Sequence, residues 1–279
     1  GSGSACGNAW ACGPGEEELK GGIDIEWRDV QCFVSETKET KDETRFARWR
    51  GRCVEKLGLK SEGAPTKQIT RGACGFARRG EVLAVMGPSG SGKTTLLNVL
   101  AQRPTLGKKG YWTGQLLING GEPWPNWERE MAYVMQKDIF YDELKVRENL
   151  VTTALLRLPY LWPREQKMRR LERMITELGL EDVANTKIGT AVERGLSGGE
   201  VKRTSIANET LGLPRLFFLD EPLTGLDSTR AVEVMRNLRD IAKERGTTVV
   251  LTIHQPSSAL YECFDRLLLL GKGGRTAFF

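Results

Sequence analysis

The chain has 279 residues, of which 39% are hydrophobic and 28% are charged, and its formal net charge is +5. This length suits one large α/β domain or two small ones, and so mild a charge does not by itself indicate a nucleic-acid ligand. The longest apolar runs are far shorter than the ~20 residues that a membrane-spanning helix needs, so we expect a soluble domain. Six scattered cysteines without a C-x-x-C pair predict neither a zinc site nor a disulfide framework.

The N-terminal part begins with a polar segment. Residues 1–22 are rich in glycine, serine and glutamate, which predicts a disordered tail or residues added for expression. Residues 23–30 alternate apolar and polar side chains, which is typical of a half-exposed strand. Residues 35–66 are densely charged and are interpreted as a solvated surface insertion, with a pattern around residues 46–57 that is compatible with a short helix.

Residues 87–94 fit the P-loop pattern G-x-x-x-x-G-K-[ST] at every fixed position. An apolar run before them predicts a buried strand, and residues 95–100 predict the start of a helix, which is the context this motif needs. Its glycines let successive N–H groups point at one anion, and the helix N-terminus adds partial positive charge. The predicted ATP contacts here are Gly87, Pro88, Ser89, Gly90, Ser91, Gly92, Lys93, Thr94 and Thr95. Among them, Lys93 would reach the β- and γ-phosphates and the Thr94 hydroxyl would ligate Mg²⁺.

The rest of the chain alternates predicted strands and helices. Short strands are predicted at residues 115–118, 131–135, 216–219 and 248–253, and from residue 266 onward. Apolar residues at three- and four-residue spacing predict helices over residues 146–158 and 164–178, and Gly179 fits the end of the second. This alternation indicates an α/β fold with a mainly parallel sheet.

The strand at residues 216–219 is followed by Asp220 and Glu221, which together make the Walker B pattern. Many buried strands end in acids, so the pattern becomes specific only because a P-loop lies upstream. A parallel strand delivers its carboxyl end to the ligand crevice beside that loop. Asp220 would then hold Mg²⁺, and Glu221 would orient and activate the attacking water.

A second glycine-rich turn, Leu196-Ser197-Gly198-Gly199-Glu200, precedes a basic, helix-compatible run. Taken alone it could be an ordinary serine N-cap or a second anion site. It resembles the signature motif of ATP-binding cassette (ABC) proteins, where it precedes the Asp-Glu strand as it does here. Three further residues resemble landmarks of that family: Gln136 the Q-loop glutamine, Asp227 the D-loop aspartate, and His254 the switch histidine.

Within that family, residues 146–150, 156–159, 252–258 and 274–279 are similar to the nucleotide-binding domain of G-subfamily (white-like) transporters. The resemblance covers about residues 23–279. It implies a P-loop ATPase with a mainly parallel core sheet, an antiparallel β region and a helical subdomain at about residues 137–205. Members of the family usually stack the adenine on an aromatic residue shortly after the first strand. The nearest position in this sequence is Val34, so we place the predicted adenine contact there.

The resemblance also implies a mechanism in which two copies pair head-to-tail. ATP on one P-loop would be covered by residues 196–200 of the second copy. Lys93 would neutralise charge, Glu221 would position or deprotonate water, and His254 would contact the γ-phosphate. Gln136, Thr94 and Asp220 would share the Mg²⁺. The expected activity is ATP hydrolysis that powers transport, at the cytoplasmic face of a membrane and without nucleic acid.

The resemblance further implies a transmembrane domain on the full-length chain, and we interpret this sequence as an excised piece. Residues 138–144 carry large apolar side chains, which either dock that domain or pack beneath the helical region. The main alternative function is a soluble ABC ATPase acting on nucleic acid or ribosomes. A regulatory cassette without turnover and an unrelated P-loop kinase or GTPase are further alternatives. A regulatory cassette does not need the intact Glu221, Gly198, Gly199 and His254, and a P-loop kinase or GTPase has no use for the signature motif.

Overall fold

The computed structural model describes residues 21–35, 66–103, 106, 110–189 and 195–279. Its strands are β1 (Ile25–Ser35), β2 (Thr66–Ala77), β3 (Val82–Met86), β4 (Tyr111–Ile118), β5 (Met131–Val134), β6 (Leu216–Leu219), β7 (Thr248–Thr252), β8 (Arg266–Leu270) and β9 (Thr276–Phe278). Its α-helices are α1 (Lys93–Leu100), α2 (Val146–Arg157), α3 (Arg164–Glu177), α4 (Gly198–Leu211), α5 (Ser228–Arg245) and α6 (Ser258–Tyr261), and a 3₁₀ turn spans Trp127–Glu130.

The larger sheet has six strands in the order β5-β6-β7-β3-β8-β9. Neighbours from β5 to β8 run parallel, and β9 pairs antiparallel with β8 at the edge. Its central strands are short, consist mostly of Val, Leu and Phe, and are buried along their whole length. Such continuous apolar runs are typical of parallel strands covered on both faces. The predicted mainly parallel core is therefore confirmed.

Each face of the core sheet packs against its own apolar cluster, as neighbouring residues of β6 show. Phe217 points into the cluster that includes α5 and the helical region, whereas Phe218 points into the cluster that includes α1 and the smaller sheet. Both side chains are fully buried. Because side chains alternate along a strand, this two-sided packing follows directly from an uninterrupted apolar sequence.

The smaller sheet is antiparallel, in the order β2-β1-β4. It confirms the antiparallel region that the resemblance implied. Strand β2 was not predicted, and β4 begins at Tyr111 rather than at residue 115. Gly75 of β2 faces Trp27 of β1, where a Cβ would lie 2.6 Å from the indole ring. A glycine inside a segment usually argues against a strand. Here the glycine is needed because the tryptophan ring occupies the space of a side chain.

Helices α2, α3 and α4 pack against one another and form the helical region. Helix α4 ends at Leu211 and so crosses the expected limit near residue 205, and the bounds of the helical subdomain stay a prediction. The expected tail also ends too late, because the Gly21 amide donates to the Arg245 carbonyl (3.0 Å). Ser35 and Thr66 belong to β1 and β2 rather than to the insertion. Residues 1–20 and the candidate helix at 46–57 lie outside the described residues.

No helix within the described ranges combines the length and the apolar character needed to cross a bilayer.

Candidate nucleotide-binding site

The P-loop joins β3 to α1 through three glycines with positive φ. At Gly87, a Cβ would collide with the Leu270 carbonyl oxygen of the neighbouring strand β8. Gly90 (φ 74°) and Gly92 (φ 90°) occupy backbone conformations that other residues rarely adopt, and Gly92 is the N-cap of α1. The loop conformation thus depends on glycine at these positions. It sets backbone N–H groups at the start of a helix, where an anion is stabilised.

Two polar side chains of the loop are buried. The Lys93 ammonium donates to the carbonyl oxygens of Gly87 (2.9 Å) and Pro88 (3.1 Å), so it bridges the two ends of the turn. The Ser91 hydroxyl has no hydrogen-bond partner among the described residues, although it is buried. A bound phosphate would offer both groups oxygen acceptors. The loop therefore fits the triphosphate that the sequence predicts.

Asp220 follows β6 directly and lies beside the P-loop. Its Oδ1 accepts hydrogen bonds from the Thr94 hydroxyl (3.0 Å) and the Thr252 hydroxyl (2.7 Å). Only 2% of Asp220 is exposed. Burial raises the pKa of its carboxyl group, and the two hydroxyl donors oppose that effect. Thr94 lies in α1, Asp220 directly after β6 and Thr252 at the end of β7, so the parallel order of these strands assembles the site.

The donors around Asp220 are consistent with a magnesium ion. Within the described ranges, no group of three or more His, Cys, Asp or Glu side chains could hold a metal by itself. The side chains that meet at Asp220 instead offer its carboxylate and the hydroxyls of Thr94 and Thr252, and the metal contact of Gln136 stays a prediction. Mg²⁺ prefers oxygen ligands, keeps several waters and commonly shares phosphates with its protein site. Bound Mg²⁺ would neutralise phosphate charge at this point.

Glu221 and Gln136 meet next to this site. The Gln136 side-chain amide donates to Glu221 Oε2 (2.8 Å). Glu221 has a φ of 48°, which is uncommon outside glycine, and its amide donates to the Thr252 hydroxyl (2.8 Å). Thr252 therefore contacts both acids of the Walker B pair. Sequence reasoning missed its role, although a hydroxyl at the end of an otherwise apolar strand could have indicated it.

His254 lies just beyond β7 and is exposed. Together with Glu221 and Thr252 it lines a cleft of about 230 Å³. The structure thus brings the histidine and the glutamate of the sequence prediction to one cleft.

The signature turn lies elsewhere on the domain. Ser197 is the N-cap of α4, where it forms a capping box with Glu200 and remains exposed. Helix α4 packs against α2, α3 and β5, whereas α1 packs against β7, β1 and β2. The two helices thus pack against different elements, and among the described residues no hydrogen bond joins the signature turn to the P-loop. A Cβ on Gly199 would lie 2.9 Å from Leu226, so the turn abuts the segment that contains Asp227.

Asp227 is the N-cap of α5, and its carboxylate accepts a hydrogen bond from the Arg230 amide (3.3 Å). Val34, the predicted adenine contact, pairs with Lys67 near the end of β1 and packs partly buried against the apolar cluster. The aromatic pair beside it is Phe33 stacked on Tyr111, with ring centroids 4.7 Å apart. The adenine contact stays a prediction.

Comparison with known proteins places the chain in a family. The family model described as ABC transporter matches residues 76–224. ABC transporter G family member 22 of Arabidopsis thaliana is 45% identical over 234 residues, which cover 84% of this chain and 30% of that protein. Protein white of Drosophila melanogaster is 39% identical over 275 residues, covering 95% of this chain and 38% of that protein. The chain thus spans about a third of the length of these curated relatives.

Solved structures support the fold. The dimeric structure of MJ0796, a bacterial ABC transporter cassette, superposes with a TM-score of 0.68. It is 20% identical in sequence and covers 91% of this chain and 97% of that cassette. A dimeric post-hydrolysis state of MJ0796 bound to ADP and Pi superposes with a TM-score of 0.67. With the P-loop, the Walker B acids and the capped signature turn in place, this chain belongs to the ABC transporter family, as an ATP-binding cassette similar to those of the G family.

Proposed function

We propose that this cassette hydrolyses ATP between two copies, or between itself and a related cassette, and that the cycle powers transport across a membrane. One observation carries the proposal. The carboxyl ends of β3, β5, β6 and β7 bring the P-loop, Gln136, both Walker B acids and His254 to one edge of the sheet, while the helix of the signature turn packs against α2, α3 and β5 rather than against the P-loop helix α1.

Within one copy, the chemistry is positioning and charge neutralisation. Lys93 would exchange its bonds to the Gly87 and Pro88 carbonyls for bonds to the β- and γ-phosphates. Glu221 would orient the attacking water or accept a proton from it. Its Oε2 is already bound by the Gln136 amide, which would have to share or release this oxygen when water enters. His254 would contact the γ-phosphate from the other side of the cleft.

A second copy supplies what one copy lacks. The exposed Ser197 hydroxyl and the N-terminus of α4 form a turn that can bind a phosphate, and its own P-loop helix α1 packs against other elements. Head-to-tail pairing would place this turn over the γ-phosphate on the partner's P-loop. Hydrolysis then removes a group that both copies contact, which favours their separation. The dimeric state of the similar cassette MJ0796 supports this arrangement.

A transmembrane domain on the full-length protein is the proposed second partner, at the cytoplasmic face of the membrane. Support comes from the G-family relatives, which are about three times as long as the matched region. Directly after Gln136, Ile139 and Tyr141 are 78% and 77% exposed, whereas Phe140 and Leu144 are half-buried. The exposed pair favours docking at this segment. The relatives give no support to a nucleic-acid function.

The Glu221→Gln variant tests the proposal. It keeps the length of the side chain but removes the carboxylate, so we expect ATP to bind, turnover to fall by at least about a hundredfold, and the dimer to persist. Light scattering with ATP and Mg²⁺ should then report a mass near twice the monomer's 31.1 kDa. Undiminished hydrolysis would refute the role of Glu221. A monomer that binds ATP without pairing would refute the shared site.

A further inference from the structure

Lys202 of α4 joins the signature helix to the strand end that carries Gln136. Its ammonium donates to the carbonyl oxygens of Met135 (2.9 Å) and Gln136 (3.2 Å) and to Asp138 Oδ1 (3.1 Å). Asp138 Oδ2 lies 3.0 Å away, so the carboxylate faces the ammonium with both oxygens. The side chains of Lys202 and Asp138 are only 5% and 9% exposed. All three donors of a lysine are thereby used within one buried network.

A gain in folding stability does not by itself explain why this ion pair is buried. Removing two charges from water costs several kcal/mol per ion, and apolar pairs of similar size often stabilise a fold as well or better. The network instead fixes one geometry. It holds the backbone of Gln136, whose amide binds Glu221, at a set position relative to the helix that begins at Ser197.

We propose that Lys202 is a positioning residue for ATP hydrolysis. By clamping the Gln136 backbone to α4, it makes the glutamine that contacts Glu221 move together with the signature turn that contacts the partner's nucleotide. Loss of these hydrogen bonds leaves the P-loop intact, but the position of Gln136 is then no longer fixed relative to Ser197. Chemistry then slows while ATP binding persists. This inference rests on the proposed function, because it requires turnover at a site shared by two copies.

Three variants separate positioning from stability. Lys202→Met leaves Asp138 buried without its partner, so we expect a lower melting temperature and a lower kcat. Lys202→Met combined with Asp138→Leu removes both charges, so stability should return while kcat stays low. Lys202→Arg keeps a cation that can reach the same acceptors, so most of the activity should remain. In the first two variants we expect kcat to fall about tenfold to a hundredfold, with KM for ATP nearly unchanged.

Lys167 provides a matched control on α3. It is also a buried lysine, and it donates to the Leu155 (3.4 Å) and Leu158 (3.1 Å) carbonyl oxygens within the helical region. Neither of these bonds reaches the segment that carries Gln136. Lys167→Met should therefore lower the melting temperature without the selective fall in kcat.

Steady-state ATP hydrolysis and thermal unfolding, measured on the same preparations, test whether Lys202 positions Gln136 or only stabilises the fold. A double variant with native stability, unchanged KM and reduced kcat supports the inference. A double variant with native stability and native kcat would overturn it and leave the pair a structural contact. If the unsubstituted chain shows no ATP turnover, the proposed function fails instead, and the inference falls with it.

Discussion

At Asp220, burial and hydrogen bonding act on one carboxyl group in opposite directions. Burial raises the pKa of this group, and donation from Thr252 and Thr94 lowers it, with burial the stronger effect. A carboxyl whose pKa is raised in the folded protein binds its proton more tightly there than in the unfolded chain. The free energy of unfolding therefore falls as pH rises from about 4 through the raised pKa. We interpret this as stability given up for a negative charge that the proposed Mg²⁺ would require.

Asp220→Asn tests this interpretation. The amide oxygen can still accept from both threonines, but the buried charge is gone. We expect the variant to be more stable than the unsubstituted chain at pH 7, with the difference shrinking toward pH 4, and to lose ATP hydrolysis. Urea unfolding at the two pH values measures the effect. Asp227→Asn, at an exposed helix cap, serves as the control. Lower stability of Asp220→Asn at pH 7 would contradict the account.

Which candidate site residues the sequence predicts depends on how rare their pattern is. Lys93, Asp220 and Glu221 are candidates because a P-loop and a Walker B strand each restrict several neighbouring positions, and the structure joins the P-loop helix to Asp220 through Thr94. Thr252 and Lys202 carry no such pattern. A threonine at a strand end and a lysine in a helix are common, and only their distances to Asp220 and Asp138 show what they contact.

Among the elements, β3 and β8 are joined at their beginnings by Glu81 and Arg266. The guanidinium donates to both carboxylate oxygens, at 2.6 Å and 3.1 Å. These bonds hold the pKa of Glu81 below its usual value, against the smaller opposing effect of burial. A depressed carboxyl pKa contributes stability above the unfolded pKa of about 4.3, and this contribution is lost as pH falls through the folded pKa.

Glu81→Gln should therefore be less stable than the unsubstituted chain at pH 7, by less than about 1 kcal/mol because the pair is partly exposed. The deficit should narrow below pH 4. Urea unfolding measures it, and Glu143→Gln is the matched control, since its partner Lys187 lies in a more exposed pair. An equal loss in both variants, or a deficit that grows in acid, would show that this ion pair does not join the strands.

The elements themselves were predicted where one periodicity extends without interruption. The sequence places α2, α3 and the central strands within a residue or two of their observed bounds, since their apolar spacing is regular. It misses β2, where Gly72 and Gly75 interrupt the pattern. The reason is tertiary, because Gly75 makes room for a tryptophan from another strand. No local rule contains that information.

For the molecule as a whole, the central feature is that the helix of the signature turn and the P-loop helix α1 pack against different elements. Gly198 offers a test of the shared site, because a Cβ at this position would have no atom within 4 Å in its own chain. Gly198→Asp should therefore be tolerated by its own chain, while placing a negative charge against the partner's ATP. Lys93→Met disables the P-loop and leaves the signature turn intact. Each variant alone should be inactive.

Mixing these two inactive variants tests the shared site most directly. In a head-to-tail mixed dimer, one of the two sites combines the intact P-loop of the Gly198→Asp copy with the intact signature of the Lys93→Met copy. We expect ATP hydrolysis to return on mixing, to on the order of a quarter of the unsubstituted rate if pairing is random. A mixture as inactive as its components, with mixed dimers demonstrably formed, would contradict a nucleotide held between two copies.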